Sequence, residues 1–425
     1  MTPQFLKPRN TLLFFSVLSL VIGGFLRHAG LIAFGVAGVG ALVIAFVQAY
    51  GLLSGVRVQR LHHPRAFQGS SVAVNLQVAG EDDRAPELLL VEDSFPPSST
   101  SRIRRLVEHP LKKGNVIEIN FVGSCDHRRG RYILGPVRLQ AADGYGFFTR
   151  ELIMESFTEL LVYPLAVELR STKLLGEGTL AHVGLEMSRR SGLSEEFAGV
   201  RDYRPGDPPR LVHWKSTARH GKLMVKEFQE EITTLVSLFI DMGKLGLVGV
   251  GDQTSVEYGV KSCASIAKRT IELGHRLQFF GVGEKVDHIP PGAGTVHLLT
   301  VLDRLSLLRA QGDSAFAIVV GDLARELPRG STAVAIMGAT TIQFDAMERA
   351  LAIMLDRHIL PIIVLVDDRA FIKIYREQEM AHVKAASLEE ITRRLTLLGA
   401  RVHVIRRAKT IEQALIQGLE QETYA

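Results

Sequence analysis

Residues 196–231, EFAGVRDYRPGDPPRLVHWKSTARHGKLMVKEFQEE, gather most of the chemistry of this chain into one stretch. Between Arg201 and Lys222 stand six Arg or Lys (Arg201, Arg204, Arg210, Lys215, Arg219, Lys222) and two His (His213, His220), against only Asp202 and Asp207. The single tryptophan of the chain, Trp214, lies among them. Cations fixed around an indole are suited to clamping a phosphate, an anionic lipid head group, a nucleic acid or the acidic face of a protein. The plainer alternative is a structural junction in which Arg201, Arg210 and Arg219 pair with Glu195, Asp207, Glu227 and Glu230 while Trp214 is buried as an anchor between domains. Pro205-Gly206-Asp207 sets a turn, and Pro208-Pro209 stop a helix from starting before Arg210. A shaped cationic surface favours protein docking, with Arg201, Tyr203, Arg204, Asp207, Arg210, His213, Trp214, Lys215, Arg219 and Lys222 as the candidate contact set.

Catalysis fits less well. His213 with Asp207 nearby has the makings of a base, but no Ser or Cys stands at a spacing that identifies a nucleophile. Gly281-Val282-Gly283 lacks the third glycine of a dinucleotide fingerprint, and Gly330-Ser331 lacks the lysine of a phosphate loop. Two distant cysteines, Cys125 and Cys263, offer neither a disulfide framework nor a zinc site and suit a reducing compartment. No nucleic-acid motif accompanies the charge, so nucleic acid is not expected as a partner. Tyr203 and Tyr145 read as packing residues.

The elements that must carry this stretch differ along the chain. Asn10 to Leu26 and Ala29 to Val56 are free of charge, with Arg27 and His28 between them, and mean hydropathy is +0.15. Two membrane spans joined by a tight turn are predicted over 10–56, the first short for a hydrocarbon core of about 30 Å. Gly30, Gly35, Gly38 and Ala41 should let the helices approach closely. Lys7 and Arg9 before the first span and Arg57, Arg60 and Arg65 after the second, against Arg27 in the turn, place both chain ends in the cytoplasm of an inner-membrane protein. From 57 to 165 the period is two, as in Val72, Val74, Leu76 and Val78 and again in Ile117, Ile119 and Phe121, with turns at Gly80 to Asp83 and Pro96 to Ser99. That is a β-sandwich-like unit. Residues 166–232 form a linker holding the cationic stretch. Over 233–425 strands Leu235–Ile240, Leu277–Val282, Thr332–Met337, Ile359–Val366 and Val402–Ile405 alternate with helices at Val256–Leu273, Ala315–Leu327, Phe344–His358, Leu388–Leu398 and Ile411–Glu422. Such alternation implies an α/β, Rossmann-type parallel sheet, whose functional rim is marked by Asp241, Gly283, Gly338 and Asp367.

Arg201-Asp202-Tyr203-Arg204-Pro205-Gly206-Asp207, then Arg210, His213-Trp214-Lys215, Ala218-Arg219, Lys222-Leu223 and Glu227, resembles the hallmark of the bacterial domain of unknown function 58 proteins. Arg129-Gly130-Arg131-Tyr132, Gly135-Pro136 and Asp143-Gly144-Tyr145-Gly146-Phe147-Phe148 are similar to the sequence that precedes that hallmark. The resemblance implies a membrane-anchored protein with a von Willebrand factor A-like C-terminal domain, associated with a MoxR-type AAA+ ATPase; it implies no reaction. Domains of that kind bind Mg²⁺ through Asp-x-Ser-x-Ser, with a Thr and an Asp from later loops. Here the run is Asp241-Met242-Gly243-Lys244-Leu245, so Asp241 remains while Gly243 and Leu245 replace the hydroxyls and Lys244 adds a competing charge. Thr295, or Thr340 and Thr341, are the other oxygen candidates. The expectation is a non-enzymatic adaptor without a cofactor, with Asp241 capping its strand. The rivals are a metal-dependent enzyme or ion-regulated binder centred on Asp241, and an anionic-lipid binder.

Overall fold

The structure is a computed structural model that describes residues 8–81, 86, 88–108, 111, 113–169, 195–230, 234–246, 248–251, 253–313, 315–369, 371 and 387–420. Lys7, Asp83, Gln421 and Glu422 lie outside them, as does much of the 166–232 segment. The chain divides into two compact units, 1–163 and 164–425.

The first unit opens with helix α1 (Pro8–Leu26) and helix α2 (Ala29–Tyr50), both long and apolar enough to cross a membrane. Their packing inverts that of a water-soluble hairpin. Apart from Leu42 on α2, the buried positions are small or polar, namely Ser16, Ser19 and Gly23 on α1 and Gly35, Ala45 and Ala49 on α2, while Phe14, Phe25 and Phe34 face outward, Phe25 at 88% exposure. A Cβ on Gly35 would lie 2.5 Å from Leu20 Cγ, and one on Gly38 would overlap Ser16 Oγ. Ser19 Oγ donates to the Leu31 carbonyl across the pair at 2.8 Å. Small residues therefore set the approach, as the sequence implies, but through Gly23, Gly35 and Gly38; a Cβ at Gly30 would meet only His28, the N-cap of α2.

Ten strands follow: β1 (Val56–His62), β2 (Arg65–Phe67), β3 (Ser71–Gly80), β4 (Leu89–Ser94), β5 (Arg102–Val107), β6 (Val116–Ser124), β7 (Gly130–Leu134), β8 (Val137–Ala142), β9 (Thr149–Met154) and β10 (Thr158–Tyr163). They form three small sheets, ordered β1-β3-β6, β2-β10-β7 and β5-β4-β8-β9. Val72, Val74, Leu76 and Val78 alternate inward into one core with Ile119, Phe121, Leu139 and Leu160. Inside it lies a buried ion pair, Arg60 of β1 against Asp93 of β4, with contacts of 3.0 Å and 2.5 Å. The remaining guanidinium protons reach the carbonyls of Leu134 and Ser156 and the Thr158 hydroxyl, so one side chain ties all three sheets together.

The second unit contains a hairpin of β11 (Glu195–Asp202) and β12 (Met224–Glu230), with helix α3 (Trp214–His220) between its strands. Next come β13 (Leu235–Asp241), β14 (Gly249–Val250), β15 (Gln253–Thr254), α4 (Ser255–Glu272), β16 (Arg276–Val282), β17 (Val286–Gly292), α5 (Gly294–Leu307), α6 (Phe316–Ala324), β18 (Thr332–Gly338), α7 (Phe344–Asp356), β19 (Leu360–Val366), α8 (Leu388–Leu397), β20 (Arg401–Ile405) and α9 (Ile411–Glu420). The main sheet runs β17-β16-β13-β18-β19-β20, parallel except for the edge strand β17. The region 166–232 is thus more than a linker, since 195–230 builds its own two-stranded sheet.

Cys125 and Cys263 are free and buried, and desolvation pushes the Cys125 thiol up to about 11. Neither is an accessible reporter of compartment. Because removing one partner of a buried pair strands the other charge, Arg60→Ala or Asp93→Ala is expected to cost about 3–5 kcal/mol, read as a lower urea midpoint. Pairing the changes as Arg60→Met with Asp93→Leu should recover much of that loss.

Candidate functional site

The cationic stretch is the connection of the β11–β12 hairpin. The strands pair from Glu195 opposite Glu230 to Asp202 opposite Met224, and Tyr203 N donates to the Leu223 carbonyl at 2.9 Å, adding one more rung. The chain then turns through Gly206 at φ +107°, a conformation that suits glycine, and makes a short 3-10 turn at Pro209–Leu211. It returns to β12 through a bridge from Val212 to Val225 and a bond from His213 N to the Met224 carbonyl at 2.8 Å. Helix α3 starts at His213, whose Nδ1 lies 2.8 Å from Ser216 Oγ and accepts from Ser216 N, and it stops at Gly221 in the left-handed region. Thr217 Oγ1 accepts from Met224 N at 3.0 Å and fastens the helix to the strand.

One ion pair closes the turn. Arg201 grips Asp207 with both terminal nitrogens, at 2.7 Å and 2.8 Å, and Asp207 also accepts from Arg204 N at 2.9 Å. The Arg201 bonds, then that backbone bond, pull the Asp207 carboxyl from 3.8 down to about 2.

The ten candidate residues therefore have two kinds of task. Arg201, Asp207 and His213 hold the connection in shape, and His213 is committed to capping α3 rather than poised as a base on Asp207. Tyr203, Arg204, Arg210, Trp214, Lys215, Arg219 and Lys222 face solvent; Trp214 is 70% exposed and Tyr203 36%. A packing role for Tyr203 does not match this placement. Lys222 reaches Asp202 at 2.7 Å, both groups well exposed. Of the anticipated junction pairs, Arg201–Asp207 forms; the side chains of Glu195, Glu227 and Glu230 lie outside the description.

A second cluster occupies the carboxyl rim of the main sheet. Asp241 ends β13 opposite Val282, and Gly338 ends β18 opposite Val366, so the four rim markers share one edge. Asp241 Oδ1 accepts from Gly243 N at 2.9 Å. Asp368, beyond β19, is fully buried and accepts from the Thr340 backbone N–H at 3.2 Å and from the Thr340 hydroxyl. Burial raises its carboxyl above the usual range, with the Thr340 bonds opposing. A Cβ on Gly338 would sit 2.6 Å from Asp368 Oδ2 and 3.5 Å from Thr341 Oγ1, which is why glycine stands there. Thr295 does not reach this rim. Strand β17 runs antiparallel, Gly292 pairs with Leu277 at the opposite end of β16, and Thr295 follows at the start of α5.

The cavity at the rim, lined by Asp241, Gly246, Ser255 and Gly338 among others, is about 20 Å³, room for one water-sized group and no organic substrate. As a Mg²⁺ site the donor set fits poorly. Gly243 and Leu245 offer no side-chain oxygen, the Ser255 hydroxyl is committed to the Gly246 carbonyl at 2.5 Å, and the Asp368 carboxyl is occupied by the Thr340 amide and hydroxyl. Asp368 escapes a reading based on the Asp-x-Ser-x-Ser pattern, because its carboxylate comes from the strand after the expected one; the doubled Asp367-Asp368 is the available signal.

These features define a class: an α/β protein with two apolar N-terminal helices, a β-rich unit and a cationic hairpin connection. Residues 199–405 match the family described as "Protein of unknown function DUF58". The chain is 26% identical over 183 residues to "Uncharacterized protein YeaD" of Bacillus subtilis (strain 168), covering 42% of this chain and 43% of that one, so the match spans less than half of the relative. Among solved structures, a beta-glucosidase from Listeria innocua matches 25% of this chain and 16% of its own at 15% identity, with a TM-score of 0.16. The alkylpurine DNA glycosylase AlkC of Pseudomonas fluorescens, bound to DNA containing an abasic site analog, covers 38% and 48% at 14% identity, with a TM-score of 0.17. At such scores neither likeness bears on fold or function.

The lowered carboxyl gives the lock a pH signature. A depressed carboxylate contributes stability that is complete above its ordinary 3.8 and lost as pH falls through about 2. Asp207→Asn should therefore speed tryptic cleavage after Arg210 at neutral pH several-fold, with far-UV circular dichroism unchanged. In the parent, sensitivity of the same connection to pepsin should rise only as pH drops from 4 towards 2, and it should already be high in the variant.

Proposed function

We propose that this protein is a membrane-anchored, non-enzymatic adaptor whose hairpin connection, residues 203–223, docks a protein partner. The observation that carries the reading is the exposed Trp214 on a connection held rigid by the Arg201–Asp207 pair. A large aromatic is costly to leave in water and is an energetic anchor when a partner covers it, and surrounding arginines are the other residue type enriched at such positions. The cationic rim of Arg204, Arg210, Lys215 and Arg219 matches an acidic partner face. The family resemblance names the partner as a MoxR-type AAA+ ATPase and the C-terminal unit as von Willebrand factor A-like; the parallel sheet with Asp241 ending an inner strand supports the latter.

Membrane anchoring is supported by the two helices whose large side chains face outward around a core of small residues. Arg9 in the first turn of α1 and Arg57 and Arg65 beyond α2 support cytoplasmic placement of both ends. The rim around Asp241 is read as a structural lock in which Thr340 and Asp368 join two neighbouring strand ends, without a cofactor.

The test is purification of the tagged full-length protein from its own host in mild detergent, with co-purifying proteins identified by mass spectrometry. An AAA+ ATPase is expected with the parent, lost with Trp214→Ala and with Arg210→Ala, and retained when chelator replaces Mg²⁺ in the wash of a nucleotide-free preparation. Retention by both variants would overturn the docking face, and loss on chelation alone would favour the ion-regulated alternative.

A further inference from the structure

The turn that joins β8 to β9, residues 143–148 (Asp-Gly-Tyr-Gly-Phe-Phe), plays no part in the docking connection, yet it gathers three aromatic side chains within six residues. Its backbone is tightly built. The nearly buried Asp143 accepts from Phe148 N at 2.6 Å and from Tyr145 N at 3.1 Å, while Gly146 N bonds back to the Asp143 carbonyl at 2.9 Å. This internal bonding pushes three rings out of the β unit. Tyr145, 66% exposed rather than packed, stacks on Phe147 with centroids 5.9 Å apart. Phe147 lines the mouth of an open apolar groove between α1 and α2, beside Pro8, Thr11, Leu12 and Phe15. Phe148 meets Phe46 of α2 edge-on at 5.5 Å.

Two cations stand on the same rings. The Arg9 guanidinium lies 5.3 Å above Phe148, and that of Arg150 lies 5.7 Å from Phe46 and 5.3 Å from Tyr50. Pro8 begins α1 and Tyr50 ends α2, so rings and cations all gather at the open end of the hairpin, the end opposite its Arg27–His28 turn. Large amphipathic rings at the end of an apolar span, with arginines beside them, match the layered chemistry of a bilayer surface: acyl chain, then glycerol, then phosphate. The pairing of arginine with phosphate gives that surface a sign preference.

We propose that the 143–148 turn, with Arg9 and Arg150, is a docking surface for anionic phospholipid that fastens the β unit to the membrane face. The inference rests on the membrane-anchored reading of α1 and α2 and adds to it a second, lipid-selective contact outside the spans. Tyr145 and Phe147 enter the head-group layer, and Arg9 and Arg150 face lipid phosphates.

Because the chain has one tryptophan, fluorescence isolates the turn. In a Trp214→Phe background, Tyr145→Trp replaces one exposed ring by another, and Val36→Trp places a reporter within α2. Each full-length variant is reconstituted into phosphatidylcholine vesicles and into vesicles that also contain phosphatidylglycerol, with lipids brominated near the top or the middle of the acyl chain. The expected result for the Tyr145 reporter is blue-shifted emission, quenched most by the shallow bromines and more strongly with phosphatidylglycerol, the gain being lost on Arg150→Gln. Water-like, unquenched emission from this reporter while the Val36 reporter is quenched would overturn the docking turn and leave the anchoring intact. Equal quenching in both vesicle types would overturn the anionic preference. A Val36 reporter untouched by either bromine position would remove the membrane reading itself, and this inference with it.

Discussion

The exposed face depends on one half-exposed ion pair, Arg201 on Asp207. A connection as long as 203–223 would otherwise lose its shape to conformational entropy, at a cost of roughly 1–2 kcal/mol for each residue fixed. Asp207 opposes that cost by holding Arg201 from the end of β11 and the Arg204 amide from within its own turn. With the turn closed, Val212 and His213 return to β12 and Trp214 starts a helix pinned through Thr217. The indole is thus held outward by backbone geometry, with no side-chain packing needed to cover it. Removal of either partner of the pair acts on Trp214 without touching it, so the arginine and tryptophan positions are coupled in any binding measurement.

Buried polar groups recur as organisers elsewhere. Arg60 and Asp93 tie three small sheets that share one apolar core, and Asp368 with Thr340 ties adjoining strand ends at the rim of the larger sheet. Their electrostatic states differ for a physical reason. The Asp207 carboxyl is lowered by the guanidinium that grips it, whereas burial raises the Asp368 carboxyl against the opposing Thr340 hydroxyl and amide bonds.

Much of the architecture was legible because its periodicities are strong. The five apolar runs from Leu235 to Ile405 became the parallel strands of the main sheet, and the five helix patterns between and after them were found with small shifts at their ends. Edge strand β17 and helix α5 were not anticipated; Val286–Gly292 carries two prolines and a histidine in place of an apolar run, and pairing with β16 decides its conformation. The hallmark reads as a turn from its prolines and glycine, but only three-dimensional pairing separates Arg201 and Asp207, which build the surface, from Arg204, Arg210 and Trp214, which form it. Asp368 was hidden because its role arises from a neighbouring strand in space. Tyr145 read as a packing residue because nothing local shows that Asp143 spends its carboxylate on the turn and turns the rings outward.

The central claim is that Trp214 marks a contact face for another protein. It is tested most directly by placing a photo-activatable benzoylphenylalanine at position 214 of the full-length protein in its native membrane and irradiating before any lysis. A discrete adduct containing an AAA+ ATPase, formed from position 214 and from 215 but not from Ile318 on α6, is the predicted result. Lipid or intramolecular products alone from position 214, in a protein that still folds, would contradict it.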